Sequence, residues 1–263
     1  MERLTREQVI ERLEKGEKDF SNLGLNNLNL SNLDLSHLKL DDSDLSFSDL
    51  TGANLSNASL VNADLIRAKI VNSNLAYADL SYADLDDADL NTTDFYCADL
   101  HDASLRGTNL SFAILAYTNL NRASLENAQL YKTFIYKSNL KGSYLEYANL
   151  FGVKLDEEEQ IRKGLILKKR MIGYKKCRNN VIVTLEIPKG AIVFSINNKQ
   201  CRTNKAKVVD ISDGHKIAVS LFDDLYIYEL GKKIEIEDFN LMYNVECTSG
   251  IHFFKTIEEA KNF

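Results

Sequence analysis

Three cysteines and one histidine in the second half of the chain are the residues best suited to chemistry. Together they form a set of the thiolate and imidazole ligands that hold zinc tetrahedrally: Cys177, Cys201, Cys247 and His252. Zinc sites usually contain a close ligand pair, and the only short spacing here joins Cys247 to His252. The sequence therefore favours a structural role, with the cysteines as buried apolar residues and His252 as a satisfied polar residue.

The pair Cys247 and His252 also suggests covalent catalysis, with a thiol nucleophile and an imidazole base. Such a pair needs hydrogen-bond reach, a lowered thiol pKa and usually a third, orienting side chain. The sequence shows no evident third residue, no glycine-rich phosphate loop and no recognisable pair of catalytic carboxylates. We therefore expect a non-enzymatic protein without a cofactor. A Cys-dependent or metal-dependent activity of residues 156–263 is kept as an alternative.

Acidic side chains dominate residues 20–155, which hold 16 Asp and Glu against 9 Lys and Arg. Between Ile70 and Leu105 there are eight Asp and no Lys or Arg. A surface with an excess of one sign of charge attracts partners of the opposite sign, and nucleic acid is itself an anion. We expect this stretch to bind a protein partner and not to bind nucleic acid directly.

The element that carries these acids is a repeat of five residues. An apolar residue stands at every fifth position from Phe20 to Leu155, in 28 consecutive units, of which 24 have Leu. From residue 53 onward the position two before it is almost always small, and a short polar residue lies between the two. This period matches neither the helical 3.6 nor the strand 2, and such self-similarity is typical of a stacked solenoid.

Segments such as Ala53-Asn54-Leu55-Ser56-Asn57, Ala63-Asp64-Leu65 and Ala78-Asp79-Leu80-Ser81-Tyr82 resemble the pentapeptide-repeat family. The resemblance covers about half of the chain. It implies a right-handed quadrilateral β-helix with four pentapeptides per coil, in which each residue stacks on the residue twenty positions later. The rod would have about seven coils and a length of ~34 Å at ~4.8 Å per coil.

This implied stacking defines a candidate interaction surface. It comprises Asp44, Asp64, Asp84, Asp79, Asp99, Tyr77, Tyr117, Tyr131 and Phe151. Three of the acids, Asp44, Asp64 and Asp84, would share one ladder, where carboxylates ~4.8 Å apart repel by ~0.9 kcal/mol even in water. Tyr77 and Tyr117 would share another ladder, and exposed aromatic residues of this kind serve protein interfaces or simply stack along a β-face.

The resemblance also implies an alternative function. Some pentapeptide-repeat proteins occupy the DNA site of type II topoisomerases and give quinolone resistance, so an acidic rod of this kind could mimic DNA. Two features depart from that pattern: the chain continues into another domain, and lysines such as Lys132 and Lys137 make the later coils less acidic. We therefore predict an acidic β-helix that presents its surface to a protein partner, with mimicry against a topoisomerase or other DNA-binding enzyme as the alternative.

Residues 1–19 are predicted to cap the rod. The spacing of Thr5 and Gln8 fits a capping box, and Leu4 and Val9 begin an apolar stripe in a helix over residues 1–18. A solenoid end exposes its core and an unpaired edge, so a terminal cap is required for solubility.

Residues 156–263 change in character and predict a small, mostly antiparallel α+β domain. Acids at the start of residues 156–163 indicate a helix, and Thr256 is placed to cap a closing helix. Strands are predicted at residues 181–187, near 191–196, 206–211, 216–221, 225–230 and 232–236, and in a short run ending at 253–254.

The run Glu246-Cys247-Thr248-Ser249-Gly250-Ile251-His252-Phe253-Phe254 and the run Leu185-Glu186-Ile187-Pro188 resemble an accessory domain of uncharacterised function. That domain is attached to pentapeptide repeats in some bacterial, phage and large-virus proteins, and the resemblance implies no particular activity. Basic residues such as Lys175 and Lys176 are predicted to form a solvated face. Contact between them and the acidic rod of a neighbouring copy would instead give a homo-oligomer.

The remaining composition bears on location. The chain has four Cys without a disulfide-like spacing, a charged N-terminal segment unlike a signal peptide, and no apolar run of membrane-spanning length. We therefore expect a reduced, soluble, cytoplasmic protein without a membrane partner.

Overall fold

The structure is a computed structural model, which describes residues 1–153, 166–167, 169–195, 200–221, 226–236 and 250–263. The chain divides into two compact units, Met1–Gly164 and Leu165–Phe263. The predicted boundary between residues 155 and 156, and the predicted helix over 156–163, lie outside the described residues and stay predictions.

The first unit is built from coils that stack in parallel with a period of twenty residues. Isolated β-bridges join each ladder residue to the one twenty positions later, from Asp19 with Lys39 to Gln129 with Asn149. In a typical coil, the N–H of Asp64 donates to the carbonyl of Ser43 at 2.9 Å. The N–H of Leu65 donates in the other direction, to the carbonyl of Asp84 at 2.7 Å. Each coil is therefore hydrogen-bonded to the coils on both sides, as the β-helix prediction requires.

Each pentapeptide ends in a corner that depends on a left-handed residue. The N–H of Ala68 donates to the carbonyl of Leu65 at 3.0 Å, which closes a four-residue turn. Within that turn Arg67 has φ +54°, and the equivalent position of most other units also has positive φ. Gly and Asn tolerate this conformation best, and Asn is the residue found most often at these corners.

The interior of the rod is filled as the repeat predicts. The apolar residues at every fifth position from Phe20 to Leu150 are at most 2% exposed. Where the small position carries a hydroxyl, the hydroxyl bonds to backbone: Ser73 Oγ donates to the carbonyl of Leu50 at 2.7 Å. At this position the described hydroxyl side chains therefore enter the narrow core with their hydrogen bonds made.

The N-terminal segment differs in part from the prediction of a helix over residues 1–18. Strand β1 (Glu2–Arg3) pairs in parallel with β2 (Leu23–Gly24), and helix α1 (Arg6–Glu14) follows it. The capping box of Thr5 and Gln8 is present, as predicted. The first residues are extended because they extend the parallel ladder by one more strand, which satisfies backbone groups of the first coil.

In the second unit the described residues form mainly antiparallel strands. The elements are β3 (Met171–Lys176), β4 (Ile182–Ile187), β5 (Val193–Ser195), β6 (Gln200–Thr203), β7 (Lys205–Ile211), β8 (Ile217–Val219), β9 (Ile227–Glu229), β10 (Lys233–Glu235), β11 (Ile251–Phe254) and α2 (Ile257–Lys261). Seven of these strands form one sheet in the order β10-β7-β4-β3-β11-β6-β5, and β8 pairs with β9. Each predicted strand position is occupied by a strand, and Thr256 caps α2 with a capping box.

Close packing of this sheet requires a glycine on β3. A Cβ atom added at Gly173 would lie 2.4 Å from Cδ2 of Phe253, which is fully buried on β11. The turn at Arg178–Asn180, between β3 and β4, is a short 3₁₀ helix in which Asn179 has φ +56°. These two features bring β3 against β4 and β11 and so position the cysteines and His252.

Candidate interaction surfaces

The structure places Asp44, Asp64 and Asp84 in one ladder, as predicted. Asp44 bridges Asp64, and Asp64 bridges Asp84. In each of the three, Oδ1 accepts a hydrogen bond from the backbone N–H two residues later, at 3.0 Å. The carboxylates therefore hold the corners in addition to carrying charge, since such Asx turns are a common use of short polar side chains.

Within this ladder Asp84 has an altered pKa. Burial raises the pKa of Asp84, and the neighbouring charges of Asp86 and Asp64 raise it further, against the opposing hydrogen bond from the Asp86 N–H. Like charges stacked in adjacent coils therefore disfavour the ionised form, which is the repulsion expected from the sequence.

The predicted acids Asp79 and Asp99 lie in a second ladder. Asp79 bridges Asp99, and Asp99 bridges Asn119. Oδ1 of Asp99 lies 2.8 Å from Nδ1 of His101 and accepts a hydrogen bond from Nδ2 of Asn119 at 2.9 Å. Oδ1 of Asp79 accepts only a backbone N–H in the described structure, from Ser81 at 3.0 Å.

Three acids of the Ile70–Leu105 stretch are neutralised by arginines from adjacent coils. The pairs are Arg67 with Asp87 at 3.5 Å, Arg106 with Asp86 at 3.4 Å, and Arg122 with Asp102. Reading the charges along the chain missed these pairs, although the spacing of about twenty residues would have indicated them. Within the described ranges, four acids of the stretch have no cation within salt-bridge distance: Asp79, Asp84, Asp89 and Asp94.

Tyrosines form a continuous zigzag along one corner of the rod. The rings of Tyr77, Tyr96, Tyr117 and Tyr136 meet edge to face, with successive centroids 5.6, 5.6 and 5.7 Å apart. Tyr77 and Tyr117 were predicted to share a ladder. The ring contacts join residues nineteen and twenty-one positions apart, because each corner carries two outward positions side by side.

A second aromatic group lies at the preceding corner. Phe112 meets Tyr131 edge to face at 5.3 Å between ring centroids, and Tyr131 stacks on Phe151 at 5.7 Å with the planes 6° apart. Tyr131 and Phe151 are twenty residues apart, so the stacking of coils brings their rings together. Nζ of Lys132 lies 5.1 Å from the centroid of the Tyr131 ring. This distance is suited to a cation–π interaction.

The candidate chemical residues of the second unit are buried. Cys177 and Cys201 have no exposed surface, and burial raises the pKa of Cys177 to about 11. Burial, with the nearby charges of Lys175 and Arg202, lowers the pKa of His252 to about 4. Cys247 lies outside the described residues, so its pairing with His252 and the four-ligand zinc set stay predictions. In the part of the chain that the structure describes, no three His, Cys, Asp or Glu residues are grouped to hold a metal.

The prediction that Lys175 and Lys176 both belong to a solvated face is wrong for Lys175. This residue is 7% exposed, and its Nζ lies 5.7 Å from the ring centroid of Tyr228. Burial lowers the pKa of Lys175. Neighbouring strand residues point to opposite faces, so Lys176 instead reaches the carbonyl of Lys261 at 3.1 Å. Gly173, Lys175 and Cys177 alternate along the strand on its buried face. This alternation could have predicted the burial of Lys175.

The stacked coils define the first unit as a β-helical solenoid. The family model described as "Pentapeptide repeats (8 copies)" matches overlapping segments between residues 29 and 157, and the model described as "Family of unknown function (DUF5758)" matches residues 158–260. The chain belongs to the pentapeptide-repeat family and carries a DUF5758 domain after its repeats.

Solved structures and one curated relative show similarity over parts of the chain. The pentapeptide-repeat protein HetL of Nostoc sp. strain PCC 7120, described as involved in heterocyst differentiation regulation, is 28% identical. The match covers 58% of this chain and 70% of HetL with a TM-score of 0.43. QnrB1, a plasmid-mediated fluoroquinolone resistance protein, is 17% identical, with coverage of 57% and 88% and a TM-score of 0.40.

The uncharacterized protein L223 of Acanthamoeba polyphaga mimivirus is 36% identical over 97 residues, or 31% of this chain. The match spans 61% of the length of that viral protein. Among the described residues, no helix is both long enough and apolar enough to cross a membrane.

Proposed function

We propose that this protein is a non-enzymatic interaction protein whose acidic β-helix surface binds a basic protein partner. The observation that carries the proposal is the set of stacked carboxylates on a rigid scaffold. Asp44, Asp64 and Asp84 repeat in register from coil to coil. A fixed array of like charges gives a directional field that speeds association with an oppositely charged surface.

The acids that have no cation in the described structure supply this field, whereas those paired with arginines do not. Asp84 illustrates the distinction, because burial raises its pKa and the charges of Asp86 and Asp64 raise it further, against the opposing charge of Arg106. A positively charged partner would relieve this repulsion and return the pKa toward its ordinary value. Partner binding should therefore neutralise carboxylates that have no cation beside them in the described structure.

The test replaces Asp44, Asp64 and Asp84 together by Asn. Asn can hold the same turn, since Asn74 Oδ1 already accepts the N–H of Ala76 at 3.0 Å in the equivalent position of another ladder. Affinity capture with the full chain should retain a basic protein that the triple variant loses, and about 1 M salt should also release it because surface charges are then screened.

Asp34→Asn is the matched control, because Asp34 Oδ1 holds the N–H of Ser36 at 3.1 Å in a different ladder. The control should keep the partner. Identical sets of retained proteins for the wild type and the triple variant would contradict the proposal.

The second candidate is DNA mimicry, and the observation that favours it is the same regular line of carboxylates. Duplex DNA presents one charge per ~1.7 Å of axis, and an acidic rod competes for sites built to bind such a polyanion. The rod resembles DNA less because Arg67, Arg106 and Arg122 neutralise three of its carboxylates. A captured partner that is a DNA-binding enzyme and that duplex DNA displaces would favour this candidate over a general basic partner.

We further propose that α1 caps a rod of about seven coils, counted as 28 pentapeptides at four per coil. Burial of Val9 and the hydrogen bond from the Leu4 N–H to the Gly24 carbonyl at 3.1 Å support the capping role. The free thiols Cys97 and Cys177 support a reducing, cytoplasmic location.

A further inference from the structure

One side of the later coils carries an exposed apolar surface that the fold itself does not require. We define the aromatic face as Phe112, Ile114, Tyr117, Tyr131, Phe134 and Tyr136. The two aromatic corners described above border it, and Ile114 and Phe134 lie between them as β-bridge partners. The ring of Phe134 stacks on that of Tyr136 with centroids 6.0 Å apart and planes at 11°. The six side chains therefore form one patch that spans adjacent coils.

The exposure of this patch is large for apolar residues. Phe112 is 49% exposed, Tyr117 45%, and Ile114 and Phe134 39% each. Contiguous exposed apolar surface marks binding sites more often than scattered single residues do. Aromatic side chains are also the residues that contribute most to protein interfaces.

The repeat offers a polar alternative at the same positions. Ile114 and Phe134 occupy the place where other pentapeptides have Asp or Asn. In the next ladder Asn119 bridges Asn139, and Nδ2 of Asn139 donates to Oδ1 of Asn119 at 3.1 Å. Since the coil closes equally well with Asn at this place, the packing of the rod does not explain the apolar pair.

The charged side chains of the two coil segments that carry the aromatic face are opposite in sign to the net charge of the rod. Residues 108–120 contain no charged side chain, and residues 128–140 contain only Lys132 and Lys137. Nζ of Lys132 lies 5.8 Å from the ring centroid of Phe112, and Nζ of Lys137 lies 5.3 Å from that of Tyr136. The only charges of these two segments are therefore positive and sit against the aromatic rings.

We propose that the aromatic face binds an acidic segment of a partner protein that carries large apolar side chains between its Glu or Asp residues. Its apolar side chains would pack on Ile114 and Phe134, and a carboxylate would pair with Lys132. Single-stranded nucleic acid also stacks on aromatic rings, but its phosphates need a positively charged groove. Two lysines on a rod with 16 acids against 9 bases do not provide one.

This inference rests on the proposed interaction role but names a different face and the opposite charge of partner. The Asp44, Asp64 and Asp84 ladder is not part of it. The Asn variants of those acids test one surface, and the variants of the aromatic face test the other. Either surface can therefore be rejected while the other stands.

The experiment measures binding of a fluorescein-labelled synthetic peptide built from Glu, Leu and Phe to the full-length protein by fluorescence anisotropy. We expect saturable binding that is weaker for a peptide with Lys in place of Glu. Phe134→Asn and Tyr117→Asn should each weaken binding about tenfold, the cost of removing one important interface side chain. Lys132→Glu should weaken it as well and should reduce its salt dependence.

Tyr82→Asn is the matched control. Tyr82 and Tyr117 both occupy left-handed corners, with φ +61° and +59°, and both are about half exposed, but Tyr82 contacts His101 on a different corner. Asn is accepted at such corners throughout the rod, so both variants should fold, and only Tyr117→Asn should lose affinity.

Four outcomes would overturn the proposal. One is the absence of saturable peptide binding, and another is equal loss of affinity in Tyr82→Asn and Tyr117→Asn. The third is tighter binding of an oligothymidylate than of the acidic peptide, which would identify the face as a nucleic-acid site. Concentration-dependent dimerisation that Phe134→Asn abolishes would likewise assign the face to a second copy of the chain.

Discussion

At the scale of single residues, burial decides which of the chemical groups can be charged. His252 lies on β11 directly across from Arg202 on β6, and Lys175 is buried on β3. Burial and these two positive neighbours hold the His252 imidazole neutral at pH 7. An imidazole with so low a pKa is a weak base.

The stability of the second unit should fall on acidification through His252. The imidazole has a pKa of about 4 in the folded protein and ~6.5 when unfolded. Between these values the unfolded chain binds a proton that the folded chain does not. Stability is therefore full above about pH 6.5 and declines toward pH 4, by up to roughly 3 kcal/mol.

The measurement is urea unfolding at about pH 7.5 and about pH 5, followed by pulsed hydrogen exchange and mass spectrometry of residues 250–263. His252→Gln should show a smaller difference between the two pH values than the wild type, because other titrating groups are common to both. An equal pH dependence in both proteins would contradict the low folded-state pKa.

At the scale of elements, the corner is the feature that makes the pentapeptide a repeating unit. Every coil has four such corners, and most of their third residues adopt positive φ. Asn57 is a simple example, with φ +58° and a backbone N–H that donates to the carbonyl of Ala76 at 3.0 Å. The preference for Asn there is local, because a left-handed L-residue costs roughly 1–2 kcal/mol unless its side chain tolerates the conformation.

Asn57→Val should therefore destabilise the rod by about 1–2 kcal/mol, whereas Asn57→Gly should have little effect. The side chain is exposed, so lost packing does not contribute. Urea denaturation followed by circular dichroism measures both variants. Equal stability of the Val and Gly variants would show that the corner does not impose the left-handed conformation on its third residue.

At the scale of the whole molecule, the chain combines two units whose strands pair over different separations in sequence. The coils bond to their sequence neighbours twenty residues away, while the second unit brings distant strands together, as when β11 pairs with β3 and β6. A solenoid in which each coil contacts only adjacent coils is stabilised locally along its length.

We expect Met1–Gly164 to fold when expressed without the rest of the chain. The backbone hydrogen bonds of the described coils are made within this unit, so amide protection between residues 20 and 130 should match that in the full chain. Hydrogen exchange with mass spectrometry compares the two proteins directly. Rapid exchange throughout the isolated unit would show that the rod depends on residues 165–263.

The period, the core and the corners of the rod were predictable from the sequence because they follow from interactions repeated every five residues. Leu80 is buried and Asn57 is left-handed for reasons contained in their own pentapeptides. The predicted strands of the second unit were also found, since alternation along a strand is a local pattern.

Only the tertiary structure decided which charges are neutralised, which rings touch and which lysine is buried. Arg67 meets Asp87 and Tyr96 meets Tyr117 because coiling brings residues about twenty apart into contact. Lys175 is buried because strands from distant parts of the chain assemble around β3. Charge pairing and burial depend on neighbours in space, and a linear pattern of residue types indicates those neighbours only once the coil period and the buried face of each strand are known.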